Sequence, residues 1–489
     1  MTSTTPSGRT RTSTSSSRSA CRCRDERERP STTSRSREKS CSPKGLPRDT
    51  SPRRPPRAKT ANQSRSRSSE PEARRWPPRR SRVSGARFDL AIVGGGIVGL
   101  ATALAALRRF PRLRVVVLEK EPRVGLHQSG HNSGVVHSGI YYEPGSQKAR
   151  LCVEGAAAMA LFCEENGVPY RRCGKVVVAT EERELPGLAE IHRRGIANGV
   201  PGLSLIGTER LREIEPACRG LRALHVPSAA VTDYAAVTSA LAGRLARDGG
   251  EVRTGARVVS VTSRGTEVVL DTGSGAAVTR FAVNCAGLHS DRIARLAGAD
   301  PGVVIVPFRG EYCELAVGRG PAVNGLVYPV PDPTLPFLGV HLTKKVGGGV
   351  LAGPNAVLAL KREGYRRTDV DLADLAGALS FPGFWRMARR SWRRGAGELW
   401  RSLSRRAFAR AVRRLLPGLR DDDLRPAGSG VRAQAVDRSG HFVDDFLIFP
   451  HGRVIHVLNV PSPAATASLV IGRAIVETIG ATFDLGGAR

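Results

Sequence analysis

Cys-x-x-Cys pairs are absent from this 489-residue sequence, and no histidine stands at metal-ligand spacing from a cysteine. A chain of this length needs no disulfide framework, so we expect structural thiols, a reducing compartment and no metal site. The nine cysteines are scattered: Cys21, Cys23, Cys41, Cys152, Cys163, Cys173, Cys218, Cys285 and Cys313.

The sequence also lacks the apolar stretch of a secretory signal near its N-terminus. Its longest apolar run, Leu90–Leu107, approaches the length of a membrane span but contains three consecutive glycines and is flanked by Asp89 and Arg108. We therefore expect a cytoplasmic protein with no transmembrane helix.

Acidic residues are scarce, at 44 against 76 Lys and Arg, for a net charge of +32. Much of the excess lies in residues 1–86, which are rich in Ser, Thr, Arg and Pro, and we expect this segment to be disordered. Three interpretations stay open: a tail that contacts nucleic acid or membrane, a transit-like peptide, or an extension without function. We favour the last, because no aromatic or amphipathic pattern accompanies the charge. For the same reason we expect no specific nucleic-acid partner.

Past residue 86 the pattern becomes that of an α/β protein. Phe88–Val93 reads as a strand, Ile97–Arg108 as a helix and Val115–Glu119 as a second strand. Further strands and helices are predicted as follows: helices at Asp233–Arg247, Leu288–Leu296, much of Asp371–Leu416, and Ala465–Ile479; strands at Gly174–Thr180, Arg257–Thr262, Glu267–Leu270, Val278–Asn284, Phe308–Ala316, Gly325–Val330, Phe337–Leu342, Val431–Val436 and Val454–Val460.

The first of these units carries a Gly-x-Gly-x-x-Gly pattern between its strand and helix. Gly94 allows the tight turn, Gly96 lets the backbone approach a pyrophosphate, and Gly99 lets the helix pack closely on the sheet. A diphosphate then sits at the helix N-terminus. Glu119 ends the next strand, where a carboxylate accepts hydrogen bonds from an adenosine ribose and disfavours a 2′-phosphate. The spacing predicts a dinucleotide site but does not separate NAD from FAD.

The glycine- and hydroxyl-rich loop Gly125–Tyr142 resembles the D-amino-acid-oxidase-like FAD superfamily. So do the Ala-Gly turn after Val278–Asn284 and the start of the last helix. The resemblance implies that FAD is the cofactor and that these segments contact it. Beyond the glycines and Glu119, the implied cofactor residues are Asn132, Ser133, Gly134, Val258, Ala286, Gly287, Ser462, Pro463, Ala464 and Thr466.

Within that superfamily, several runs between Phe88 and Ile479 resemble the L-2-hydroxyglutarate oxidase/dehydrogenase family: His131–Ser146, Pro307–Tyr312, Tyr328–Pro333, Pro336–Thr343, Gly353–Ala356, Lys361–Tyr365 and Val431–Ala435. The implied fold is a Rossmann-like FAD-binding domain with a second, mixed or antiparallel-sheet substrate domain. We expect the FAD-binding domain to comprise residues 87–170, 220–300 and 425–489, and the substrate domain residues 171–219 and 301–424.

The resemblance implies oxidation of L-2-hydroxyglutarate to 2-oxoglutarate, with hydride passing from C2 to flavin N5 and electrons then going to a quinone or to oxygen. The alternative is another flavin oxidase or dehydrogenase of the superfamily, acting on glycerol 3-phosphate or an amino acid.

A dicarboxylate substrate requires cationic or strong donor groups and a base for the C2 hydroxyl. Arg432, Arg309 and Tyr312 are the candidates for binding it, and His137 and His341 are the candidates for the base. Whether FAD is attached covalently through His137 stays open.

Arg386–Arg420 holds 12 arginines and one glutamate, with Trp and Leu residues near helical spacing among them. One interpretation is a set of helices with a solvated arginine face. The other is a peripheral surface on the inner face of the membrane, which would suit a quinone acceptor.

Overall fold

The structure is a computed structural model that describes residues 87–316, 318, 322–332 and 338–483. The segment 1–86, for which disorder is predicted, lies outside the described residues.

Strands in the described part of the chain fall into three sheets. In chain order they are β1 (Arg87–Val93), β2 (Val115–Leu118), β3 (Val135–Val136), β4 (Tyr170–Arg172), β5 (Lys175–Ala179), β6 (Ser204–Gly207), β7 (Arg222–Val226), β8 (Ala230–Thr232), β9 (Glu251–Arg253), β10 (Ser260–Arg264), β11 (Glu267–Asp271), β12 (Ala276–Asn284), β13 (Val303–Leu315), β14 (Leu326–Pro329), β15 (His341–Lys344), β16 (Val350–Gly353), β17 (Val357–Leu358), β18 (Leu424–Asp437), β19 (Leu447–His451) and β20 (Val454–Asn459).

Helices connect these strands. They are α1 (Ile97–Arg109), α2 (Gln147–Glu165), α3 (Leu185–Ala197), α4 (Thr208–Ile214), α5 (Tyr234–Arg247), α6 (Ser290–Leu296), α7 (Leu372–Leu379), α8 (Pro382–Leu403), α9 (Arg405–Arg413) and α10 (Ala464–Thr482), with short 3₁₀ turns at Glu182–Glu184, Gly287–His289 and Asp421–Asp423.

The first sheet has the order β10-β11-β12-β1-β2-β9, with β20 beside β12 and β19 beside β20. Its central strands are parallel, and Ile92 of β1 stands opposite both Val117 and Val283. Strands covered on both faces are continuous apolar runs, which is why β1 and β2 are buried along almost their whole length. Helices α1, α2, α5 and α10 pack with this sheet in one apolar core. The predicted strand–turn–helix–strand unit is therefore confirmed.

The second sheet has the order β17-β13-β16-β15-β14-β5-β7-β6, and β18 pairs with β13 along most of its length. All its pairs are antiparallel except β5 with β14. Together with the first sheet it confirms the predicted fold class. A small third sheet, β3-β8-β4, links the loop after β2 to the strand before α5.

Two expected boundaries differ from the structure. Strand β18 pairs with the second sheet, whereas the expected division at residue 425 assigned most of it to the FAD-binding domain. The chain returns to the first sheet only after Asp437, because residues Val431–Val436 continue the antiparallel pairing of β18 with β13. For the strand predicted at Phe337–Leu342, Phe337 lies outside the described residues, and the strand in the described part begins at His341.

Helix α10 is long and apolar enough to cross a membrane, by length and composition alone. In the structure it packs against α1 and α2, and residues such as Ile471, Ile475 and Ile479 belong to the core of the first sheet. The apolar run Leu90–Leu107 divides into β1 and most of α1, so it is a strand, a turn and a helix.

Candidate active site

The glycine-rich turn between β1 and α1 is sterically obligatory. Gly94 has φ +111°, and a Cβ there would lie 2.5 Å from the Cys285 carbonyl oxygen. A Cβ on Gly99 would lie 2.1 Å from the Gly94 carbonyl oxygen. A Cβ on Gly96 would have Ser129 Oγ as its nearest neighbour, at 3.4 Å, so this position leaves room for a ligand to approach the backbone. These contacts match the roles that the sequence assigns to the first and third glycines.

Glu119 directly follows β2 and is buried beside the turn. Its carboxylate accepts hydrogen bonds from the Gly95 N–H at 2.7 Å and the Glu121 N–H at 2.9 Å. Each carboxylate oxygen keeps a second lone pair, so the fixed side chain can still accept hydrogen bonds from a ribose diol.

A cavity of about 260 Å³ opens over this turn. Its lining combines the end of β1, the residue after β2, the loop at 125–129 and the turn after β12. Six predicted cofactor residues line it: Gly94, Gly96, Glu119, Val258, Ala286 and Gly287. An elongated cleft at the helix N-terminus of a parallel sheet suits the ADP part of a dinucleotide.

The loop after β2 connects this cavity to the last helix. Ser129 Oγ accepts from the Ile97 N–H at 2.9 Å, which ties the loop to the start of α1. Asn132 closes a turn by accepting from the Gly134 N–H at 2.9 Å. Farther on, the His137 N–H donates to Thr466 Oγ1 at 3.0 Å, and Ser462 Oγ lies 3.4 Å from His137 Nε2. His137 is thus brought to the predicted cofactor residues Ser462 and Thr466 at the start of α10, outside the 260 Å³ cavity.

A charge network that sequence reasoning missed lies at the rim of the same cavity. The carboxylate of Glu363 lies 2.6 Å from Lys120 Nζ, 3.2 Å from His127 Nε2 and 3.0 Å from His289 Nε2. These contacts hold the pKa of Glu363 well below its usual value. Glu121, His127 and Glu363 have ligand atoms close enough for a metal ion, but the Lys120 ammonium already contacts both carboxylates. We therefore describe the group as an ion-pair network across the cleft.

A second group of side chains lies on the second sheet. Tyr328 of β14 stacks on His341 of β15 with ring centroids 4.0 Å apart. His341 Nδ1 lies 2.9 Å from the Gly339 carbonyl oxygen, so it donates there and Nε2 carries the free lone pair. Burial, with Lys175 and Arg432 adding to it, lowers the pKa of His341 to about 3. Burial, helped by Lys175 and His341, also lowers the pKa of His137 to about 3.

Tyr312 and Arg432 adjoin this group from β13 and β18. Burial raises the pKa of Tyr312, whereas Arg432 and a hydrogen bond with Ser133 act in the opposite direction. Burial lowers the pKa of Arg432, and Tyr312 and Tyr328 are among the groups that oppose this shift. The predicted residues His137, His341, Tyr312 and Arg432 are therefore neighbours.

Arg309, the other arginine named as a candidate for binding the substrate, does not join them. In the β13–β18 register Phe308 stands opposite Arg432, and Arg309 stands opposite Val431. Side chains alternate between the faces of a sheet, so the two arginines point to opposite faces. The Arg309 guanidinium instead lies 3.3 Å from Glu311 and donates to the Arg366 carbonyl oxygen at 3.2 Å.

A larger cavity, about 710 Å³, lies between α8 and the second sheet. Its lining includes Arg309, Gly339 and Val340, mostly among apolar side chains. Of the predicted substrate and base residues in the described part of the chain, only Arg309 belongs to that lining.

Comparison with known proteins gives the class of the molecule. Residues 89–478 match the family described as FAD dependent oxidoreductase. The FAD-bound L-alpha-glycerophosphate oxidase of Mycoplasma pneumoniae superimposes with a TM-score of 0.66 at 21% identity, covering 81% of this chain and 95% of that one. The chain is an FAD-dependent oxidoreductase, and FAD is its cofactor. The glycine turn, Glu119 and the cavity above them suit the ADP part of that cofactor.

Closer relatives define the family more narrowly. The L-2-hydroxyglutarate dehydrogenase of Indibacter alkaliphilus is 47% identical over 391 residues, which are 80% of this chain and 98% of that protein. The mitochondrial L-2-hydroxyglutarate dehydrogenase of Homo sapiens is 42% identical over 421 residues, which are 82% of this chain and 91% of that protein. The chain belongs to the L-2-hydroxyglutarate dehydrogenase family, and the resemblance noted in the sequence is confirmed.

Proposed function

We propose that this chain oxidises L-2-hydroxyglutarate to 2-oxoglutarate with FAD. The observation that carries the proposal is the 47% identity with a protein of that name, extending over 98% of its length. The cluster of buried His341 with half-buried Arg432, Tyr312 and His137 supplies the groups that such a substrate needs. Bound FAD supplies the two-electron oxidant by accepting the hydride from C2.

Within this proposal Arg432 binds the C1 carboxylate of the substrate. A guanidinium forms two parallel hydrogen bonds with a carboxylate, which fixes the orientation of C2. Tyr312, the adjacent phenol, keeps its proton at neutral pH, and burial raises its pKa further, so it can donate a hydrogen bond.

We assign the base to His341 rather than His137. The Gly339 carbonyl fixes the Nδ1–H tautomer of His341, which leaves Nε2 to accept the C2 hydroxyl proton. A dianionic substrate beside the imidazole raises its pKa from the low value of the free protein and so strengthens the base. Among the described residues, the ring of His137 has one hydrogen-bond contact to orient it, at 3.4 Å from Ser462 Oγ.

Anaerobic flavin bleaching tests the function. The purified yellow protein should lose its flavin absorbance on mixing with L-2-hydroxyglutarate and retain it with the D-enantiomer. Bleaching by glycerol 3-phosphate or an amino acid, but not by L-2-hydroxyglutarate, would reverse the assignment. Those alternatives are less favoured, because the structures of a glycerophosphate oxidase and a glycine oxidase are 21% and 20% identical and support the fold alone.

We further infer that the electrons pass to a quinone at a membrane surface. Three tryptophans of α8 project into solvent, with exposed fractions of 58% for Trp385, 63% for Trp392 and 64% for Trp400. Leu399 and Leu403 are also exposed on this arginine-rich helix. Tryptophan beside arginine suits the interface of an anionic bilayer.

Flotation with vesicles tests the membrane proposal. Vesicles that contain anionic lipid should carry the wild-type protein, and Trp392→Ser combined with Trp400→Ser should weaken the association. No flotation of the wild-type protein at low salt would exclude this surface. A short-chain quinone should reoxidise the reduced protein faster than oxygen does.

A further inference from the structure

Lys175, the first residue of β5, is buried without a hydrogen-bond partner. Its side chain is 2% exposed, and Nζ has no hydrogen-bond acceptor among the residues that the structure describes. The ammonium lies 4.2 Å from the centroid of the Tyr328 ring and 5.2 Å from that of Tyr141. Aromatic faces offset only part of the cost of burying a charge. Lys175 therefore lacks the anion that a buried ammonium needs.

The position of Lys175 links it to the proposed substrate site. In the parallel pairing of β5 with β14, Lys175 stands opposite Leu326, two residues before Tyr328, so Lys175 and Tyr328 lie on the same face. Tyr328 in turn stacks on His341. Tyr141 comes from the loop that contains His137, and its buried hydroxyl also has no partner in the described part of the chain.

The ionisable groups that act on Lys175 are thiols, whereas Arg432 is acted on by a carboxylate, that of Glu398. Lys175 and Arg432 both act on His341, so two cations flank the imidazole. None of the described carboxylates forms a salt bridge with Lys175. The groups that oppose the effect of burial on its pKa are the thiols Cys152 and Cys173. A ligand carboxylate would supply the anion that Lys175 lacks.

We propose that Lys175 binds the distal carboxylate, on C5, and thereby selects dicarboxylates over 2-hydroxy acids with an apolar end. This inference rests on the proposed function. With the C2 hydroxyl at His341 and the C1 carboxylate at Arg432, the rest of the substrate extends towards Lys175. The lysine determines how tightly and how selectively the substrate binds, and it takes no part in the hydride transfer of the proposed reaction.

Substitution of Lys175 by Met tests the assignment in the full-length holoenzyme. The matched substrates are L-2-hydroxyglutarate and L-2-hydroxyvalerate, which has a methyl group where the former has its distal carboxylate. We expect Lys175→Met to lower kcat/KM for L-2-hydroxyglutarate about 100-fold, since one partner of a buried ion pair is removed. The value for L-2-hydroxyvalerate should change by less than about 3-fold.

A second buried lysine provides the control. Lys148 on α2 is buried, but its Nζ is paired with Asp444 at 2.7 Å. Lys148→Met should alter stability without changing the ratio of kcat/KM for the two substrates. If Lys175→Met does not retain flavin, Lys175→Gln replaces it, because the amide keeps a polar group of similar length.

Product binding provides a readout without turnover. Titration of the oxidised holoenzyme with 2-oxoglutarate should perturb the flavin spectrum at much lower concentration in the wild type than in Lys175→Met, whereas 2-oxovalerate should not distinguish them. Equal losses for both ligands, or no loss for either, would overturn the role of Lys175. If L-2-hydroxyglutarate fails to bleach the wild-type flavin, the proposed function fails instead, whatever the variant does.

Discussion

The nucleotide cleft and the substrate face are built in different ways. The cleft takes its shape from backbone, namely the turn at Gly94–Gly99 and the N-terminus of α1, together with the carboxylate that directly follows the next strand, β2. The substrate face takes its chemistry from side chains on separate elements, with Lys175 on β5, His341 on β15 and Arg432 on β18. The second site is therefore assembled by the sheet and has no local signature of its own.

This difference governs how each site should respond to change. A side chain added at a closely packed glycine of the turn, such as Gly94 or Gly99, clashes with backbone atoms. The clash can be relieved only by displacing a neighbouring strand or helix. A side-chain site loses one function at a time and leaves the fold and the flavin in place. The three predictions below test this contrast, beginning with the largest effect.

Gly99→Ala should abolish flavin binding. The new Cβ would lie 2.1 Å from the Gly94 carbonyl oxygen, so β1 and α1 must separate. We expect a nearly colourless protein whose free energy of unfolding is lower by about 3 kcal/mol. The ratio of flavin to protein absorbance and denaturant unfolding measure the two effects.

Gly243→Ala on α5 is the control for this substitution. No heavy atom lies within 4 Å of the Cβ that it would add. This variant should stay yellow and gain a few tenths of a kcal/mol in stability, because alanine favours the helix. A yellow Gly99→Ala protein with normal stability would show that the turn is less strict than its geometry indicates.

His341→Gln should retain flavin but slow its reduction by L-2-hydroxyglutarate about 10² to 10⁴-fold, since general base catalysis is lost. Anaerobic stopped-flow absorbance measures this rate. His137→Gln should slow reduction less. The reverse order would move the base to His137, and an unchanged rate in both variants would remove both residues from the assignment. Release of the flavin by acid precipitation would exclude a covalent bond at His137.

The sequence predicts the cleft better than the substrate face for the same physical reason. A glycine turn, the strand before it and the acidic residue after β2 are contiguous, so their spacing carries the information. Arg309 shows the limit: it lies in a run that resembles the family, yet the register of β13 with β18 turns it away from Arg432. Register depends on a partner strand more than a hundred residues away.

Lys175 and Glu363 illustrate what neither spacing nor resemblance revealed. Lys175 opens an apolar strand, where a lysine in the sequence suggests a strand end exposed to solvent. Only the packing of Tyr141 and Tyr328 shows that it is buried. Glu363 follows β17 in a loop, and its partners come from two earlier segments: Lys120 and His127 from the loop after β2, and His289 from the turn after β12. Such a network cannot be recognised from a sequence pattern unless the fold is already known.

The Glu363 network offers the smallest expected effect. Its side chains belong to the nucleotide cleft but, like those of the substrate face, come from distant parts of the sequence. Glu363→Gln removes a charge that three donors share, so the free energy of unfolding at neutral pH should fall by about 1–3 kcal/mol. Flavin should dissociate several-fold faster, because Lys120, His127, His289 and Glu363 line the nucleotide cavity.

The pH dependence of this effect distinguishes the network from a packing contact. The pKa of Glu363 lies below its usual value of 4.5, so its stabilisation is complete above about pH 4.5 and is lost as the pH falls through the lower, folded-state pKa. The difference in Tm between wild type and Glu363→Gln should therefore shrink as the pH is lowered below 4.5. Glu314→Gln, which breaks a partly exposed pair with Lys345, should cost less than about 1 kcal/mol and leave flavin release unchanged. A Tm difference that stays constant down to the lowest pH at which the protein remains folded would mean that Glu363 acts through its shape and not through its charge.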